Sequence, residues 1–174
     1  MHYRVNLRDL PNGSVEATCP DIPAFFTVQP SRPEALDFVR ENLASALQTY
    51  RKKHEPIPVT SDRSATCLVY LPVRVQAKII LWNYMLKNRW RLSDLARLLG
   101  VTQTQAQRLV DLDRDLASME AIEDAFRAIG GAFSLSEKKS RSSLNGSGNQ
   151  DHSRFSVLLS PDNGEPANTS SSAR

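Results

Sequence analysis

The residues best suited to chemistry lie in the stretch TQTQAQR at positions 102–108, where glutamine, threonine and arginine surround one small apolar residue, Ala106. A glutamine amide can donate to and accept from an adenine edge at once, and a threonine methyl can meet a thymine methyl. With Ala106 turned inward on a helix, Gln103, Thr104, Gln105, Gln107 and Arg108 turn outward, a face suited to the DNA major groove. Thr102 is a good N-cap, its hydroxyl free to accept an amide of the next turn, so the helix should begin at Gln103.

This short helix needs a partner to hold it. Just before it, in WRLSDLARLLGV, Leu95, Ala96 and Leu99 share one helical face, and Gly100 follows as a stop that can take the left-handed conformation. Ala96 is small enough for two helices to cross closely, and Ala106 and Leu109 complete the buried seam. The pattern reads as a helix-turn-helix, although the same grammar also builds ordinary helical cores. Arg91 falls where a Ser or Thr cap is usual in the phage-repressor-like register, and Leu92 follows it. The second helix carries only Arg108 as a cation, with Asp111, Asp113 and Asp115 close behind. Attraction to phosphate must then come from Arg74, Lys78, Lys87, Arg89, Arg91, Arg97 and Arg114.

Other chemistries are poorly supplied. A two-metal nuclease needs converging carboxylates, whereas Asp9, Glu16 and Asp21 are scattered over a strand end and turns. His2, His54 and His152 are isolated, and neither Cys19 nor Cys67 has a histidine in a local motif, so the residues read as no enzyme, with no metal or cofactor site. No glycine-rich phosphate loop occurs. The two cysteines read as buried free thiols in a reducing compartment.

The chain has 174 residues, 40% hydrophobic and 24% charged, enough for one or two small domains. A net charge of +3 is only a weak pointer to an acidic partner. The opening MHYRVNLRDL is an amphipathic strand rather than a signal peptide, and no apolar run approaches membrane-spanning length. A soluble, cytoplasmic protein without a membrane partner is expected.

Tyr3, Val5 and Leu7 alternate with polar residues, and Val15, Ala17 and Cys19 resume the alternation after Pro11-Asn12-Gly13, predicting a hairpin. Phe25 to Val28 should be a third strand. Ser31 caps a helix with Glu34 at capping-box spacing, and Ala35, Leu36, Val39, Leu43, Ala46, Leu47 and Tyr50 give it a face for the sheet. Thr66 to Leu71 should be the fourth strand, leaving open what covers the second sheet face. From Pro72 the period turns helical through Val75, Ile79, Leu81, Trp82 and Met85. Ser118 caps a further helix, Met119 to Ile129, stopped by Gly130-Gly131, and Phe133 and Leu135 could add a short strand. After Ser136 the composition collapses to Ser, Asn, Gly, Lys and Asp, and a disordered tail is expected, with Phe155, Val157, Leu158 and Leu159 as its one apolar island. The expected fold is α+β, divided at 1–71, 72–135 and 136–174.

The order of parts resembles the HicB antitoxins of type II toxin-antitoxin systems that carry a helix-turn-helix domain. The resemblance rests on the HYRVNL strand, the turn Cys19-Pro20-Asp21-Ile22-Pro23, the helix start from Ser31 to Glu41 with Glu34-Ala35, Ile57-Pro58, Leu71-Pro72-Val73, and LARLLGVTQTQAQRL followed by Ile122 to Gly130. It covers most of positions 1–135 and none of the tail. A departure stands at Phe25 and Gln29, where many members have glycines.

The resemblance implies a partial ribonuclease-H-like domain without an active site, which binds and masks a small HicA-type toxin that cleaves RNA. It also implies an all-α helix-turn-helix domain that binds promoter DNA as a homodimer or larger homo-oligomer, so that the antitoxin represses its own operon. Such toxins are usually basic, and Asp21, Glu34, Asp37 and Glu41 offer carboxylates for contact, as any solvated acidic helix face would. Two alternatives remain from the residues alone: a free-standing repressor whose first domain senses a ligand, and an adaptor whose helical domain only dimerises.

Overall fold

The computed structural model describes residues 1–59, 67–114, 116–138 and 156–161. Alternating apolar residues place one face of each early strand inward. β1 (His2–Asp9) turns back into β2 (Val15–Thr18), and a second turn leads to β3 (Phe26–Gln29). α1 (Arg32–Lys52) follows, and β4 (Cys67–Tyr70) then pairs with the free side of β1. The sheet is antiparallel throughout, in the order β3-β2-β1-β4.

Register decides which side chains meet. Tyr3 stands opposite Val69, Leu7 opposite Ala17, and Ala17 opposite Thr27, so these residues share the face that α1 covers. α1 starts as its sequence dictates: Ser31 accepts the Glu34 N–H at 3.4 Å, and a proline occupies the first turn, where no helical amide bond is lost. Ala35, Val39, Leu43 and Leu47 recur every four residues and are fully buried against the sheet. On the opposite face, Asn6, Thr18 and Phe26 form one row and Arg8, Glu16 and Val28 another. Phe26, Val28 and Tyr70 are exposed there.

α2 (Val73–Lys87) is buried almost all round, as an apolar helix without a polar stripe must be. Its Asn83 amide pairs with the backbone of Ile57, accepting the Ile57 N–H and donating to the Ile57 carbonyl, both at 2.8 Å. Trp82 Nε1 donates to the Glu55 carbonyl at 3.0 Å. α3 (Leu92–Leu99), α4 (Gln103–Arg108) and α5 (Met119–Ala128) follow: α5 packs on α2, and α3 packs on both α4 and α5. One apolar core draws on β1, β2, α1, β4, α2, α3 and α5, from Met1 to Ile129. Gly131 fits only because it lacks a Cβ, which would overlap the Phe126 ring.

The tail departs from expectation. β5 (Phe133–Lys138) continues past Ser136 and pairs antiparallel with β6 (Ser156–Pro161), Phe133 opposite Pro161 and Lys138 opposite Ser156. The run Val157-Leu158-Leu159 was expected to be solvated. Pairing with β5 satisfies backbone N–H and C=O groups that composition alone leaves unassigned. The rest of the tail, 139–155 and 162–174, lies outside the described residues, as does most of the segment before β4.

Candidate functional site

α3 and α4 are hinged where the sequence requires. Gly100 ends α3 at φ +65, and the Val101 N–H reaches back to the Ala96 carbonyl at 3.0 Å, which closes the helix end with a residue that carries no Cβ penalty. α3 and α4 pack against each other, and Leu95, Ala96 and Ala106 on them are buried. Thr102 caps α4: its hydroxyl accepts the Gln105 N–H at 3.2 Å, and the Gln105 side-chain oxygen accepts the Thr102 N–H at 2.9 Å.

That reciprocal cap separates the outward residues into two groups. Gln105 is exposed, but its amide oxygen is spent on Thr102. With Arg108 it lines a groove toward α5, beside Leu116 and Ala121. Gln103, Thr104 and Gln107 are exposed, and their side chains make no hydrogen bond among the described residues, so their donors and acceptors are available to a ligand. At the other helix, Arg91 occupies the N-cap position as expected. An arginine side chain cannot accept an amide proton, and the bond runs the other way, with the Arg91 N–H donating to the Asp94 carboxylate at 3.3 Å.

The cations expected to face phosphate do not all do so. Arg74, Lys87, Arg89, Arg91, Arg97 and Arg114 are exposed. Lys78 corrects the expectation: it is 1% exposed, and its ammonium donates to the Asp111 and Arg114 carbonyls, each at 2.8 Å. A buried ammonium is tolerable only with such partners. Its position inside the apolar run QAKIILW was the available signal, since a lysine among residues that all pack inward must pack inward too.

Next to it lies an anchor that the spacing of apolar residues did not reveal. Gln48, 2% exposed on α1, donates from Nε2 to the Asp111 carboxylate at 3.1 Å. Its Oε1 accepts the Leu112 N–H and Arg51 Nε, each also at 3.1 Å. α1 and the loop after α4 are therefore tied by buried hydrogen bonds.

The acidic candidates divide similarly. Asp21 has a side chain only 7% exposed, held by Arg4 Nη2 at 2.7 Å and by the Arg4 backbone N–H at 3.1 Å. Glu34, Asp37 and Glu41 lie exposed along one face of α1, with Asp37 paired to Arg40 at 2.6 Å. Cys19 is buried and Cys67 half-buried, both as free thiols; burial pushes the Cys19 thiol up from its ordinary value. Among the described residues no group of His, Cys, Asp and Glu is placed to hold a metal ion, and no helix is long and apolar enough to cross a membrane.

No protein-family model matches the chain. Individual relatives do. It is 34% identical to antitoxin HicB 2 of Photorhabdus laumondii over 111 residues, covering 64% of this chain and 78% of the relative. It is 31% identical to antitoxin HicB of Pseudomonas fluorescens over 136 residues, covering 77% of this chain and 92% of the relative. Antitoxin HicB of Escherichia coli is 29% identical over 136 residues, covering 78% of this chain and 98% of the relative. Relatives this similar over this share of their length settle the family: the chain belongs to the HicB antitoxins.

Proposed function

We propose that this antitoxin neutralises a HicA-type, mRNA-cleaving toxin by direct binding and represses its own operon by binding promoter DNA. The observation that carries the DNA half is the outer face of α4. There Gln103, Thr104 and Gln107 are exposed with unspent hydrogen-bonding groups, on a helix fixed by its own cap and by a buried seam. In this reading α3 and α4 are a helix-turn-helix, α4 enters the major groove, and Arg91 and Arg108 stand near the backbone. Thr102 and Gln105 serve as the cap that aims the helix.

The toxin half is supported by membership in the antitoxin family and by the stripe of Glu34, Asp37 and Glu41 on α1, which offers carboxylates to a basic partner. The sheet and α1 form the partial ribonuclease-H-like part in this reading, used as a scaffold without catalysis. A homodimer would present two copies of α4 to half-sites about 34 Å apart.

The test is co-expression with the product of the adjacent reading frame. Growth arrest by that product alone, relief by this chain and co-purification of the two are expected. A duplex from upstream of the two genes should be bound in preference to a scrambled one. Failure to relieve toxicity overturns the first half, and equal binding of both duplexes overturns the second.

A further inference from the structure

A groove beside α4 is built from separate stretches of the chain. It is lined by His54, just beyond α1, by Arg89 and Arg91 between α2 and α3, and by Gln103, the first residue of α4. Trp82 and Trp90 also line it, and His54 lies against the Trp82 ring, centroids 5.9 Å apart. Its lining contains three basic residues and no carboxylate. Glu55, next to His54 in the chain, instead lines a different groove with Phe25 and Tyr50. His54 and Arg89 are the non-glycine residues with positive φ among the described residues, at 57 and 60. Residues with a Cβ rarely adopt that left-handed conformation, and in both cases it belongs to a residue lining this groove.

We infer that this groove holds the DNA phosphodiester backbone, with Arg89 and His54 contacting phosphate oxygens next to the base pair that Gln103 reads. The inference rests on the DNA-binding reading of α4 and adds to it that a residue at the end of α1 takes part in the same interface. A guanidinium and an imidazole N–H supply donors to phosphate. At the mouth of the groove, the first amides of α3, at Leu92 and Ser93, precede the first helical hydrogen bonds and add to the attraction for an anion. Backbone contacts carry no sequence information, so they should set affinity and register while Gln103 and Gln107 set preference.

The experiment measures binding of the full chain to a duplex from its own upstream region and to a scrambled duplex of equal length, over a series of salt concentrations. Arg89→Gly and His54→Gly are the chosen variants, because glycine accepts these backbone angles and keeps the fold. Thermal melts check that it does. The expected result is a loss of affinity by the same factor on both duplexes in each variant. The slope of log affinity against log salt should become shallower by about 0.9 for the lost arginine contact. Gln103→Ala should instead weaken only the upstream duplex. Unchanged affinity and slope in both glycine variants, with Gln103→Ala still selective, would overturn this inference alone. A wild-type chain that binds neither duplex overturns the DNA-binding reading, and this inference with it.

Discussion

Two clusters of polar side chains, one around Gln48 and Lys78 and the other around Gln103 and Gln107, differ in where their hydrogen bonds end. In the first, a nearly inaccessible amide and ammonium are bonded to the Leu112 N–H, the Asp111 carboxylate and the carbonyls of Asp111 and Arg114. In the second, glutamine amides like that of Gln48 stand in water with no hydrogen bond to the described residues. Residue type does not separate the two jobs. Burial with satisfied partners marks a strut, whereas exposure on a capped helix leaves the groups available to a ligand.

The contrast can be broken first at its buried side. Lys78→Met keeps the volume of the side chain but orphans two carbonyls, and should cost about 2–4 kcal/mol in denaturant melts. A loss below the precision of the melt would mean that the ammonium is not a strut. Ala96→Leu forces bulk between α3 and α4 and should cost about 1–3 kcal/mol. A neutral melt there would mean that the two helices are not in close contact.

The exposed side sharpens the comparison. Gln103→Ala or Gln107→Ala should each weaken binding to the specific duplex by about 1–3 kcal/mol while leaving the melting temperature unchanged. Equal losses of stability and binding would put these residues in the same class as Gln48. Gln105→Ala should behave in between, removing one half of a reciprocal cap and costing about 0.5–1 kcal/mol of stability.

The smallest expected effect is a dependence on alkaline pH. Burial pushes the Tyr3 phenol and the Cys19 thiol up from their ordinary values of 10.0 and 9.0. Above those values the unfolded chain binds fewer protons than the folded one, so stability is fully present below pH 9.0 and falls as pH rises. Tyr3→Phe removes the phenol, which donates to the Pro58 carbonyl at 2.6 Å, and should flatten the decline above pH 10.0 at the expense of that bond. Identical slopes in melts from pH 8 to 11 would show that Tyr3 is not the group responsible.

Local signals in the sequence were enough wherever neighbours along the chain decide the conformation. Ser31, Thr102 and Ser118 cap their helices as read, because a cap is a bond to an amide three residues away. Gly100 takes its left-handed angle for the same local reason. The hairpin of β1 and β2 followed from alternation and a turn.

What the sequence by itself determined, then, was the kind and order of elements as far as Ile129 and the set of side chains that could face outward on α4. Only the tertiary structure decided that β4 joins the outer side of β1, that β6 returns to β5, and that Lys78 and Gln48 meet the same loop. It also decided that His54 reaches the groove of Gln103. Each of these joins residues far apart in the chain, and such contacts are fixed by the shared burial of apolar faces and by the need to pair every buried polar group, conditions that no short window of sequence contains.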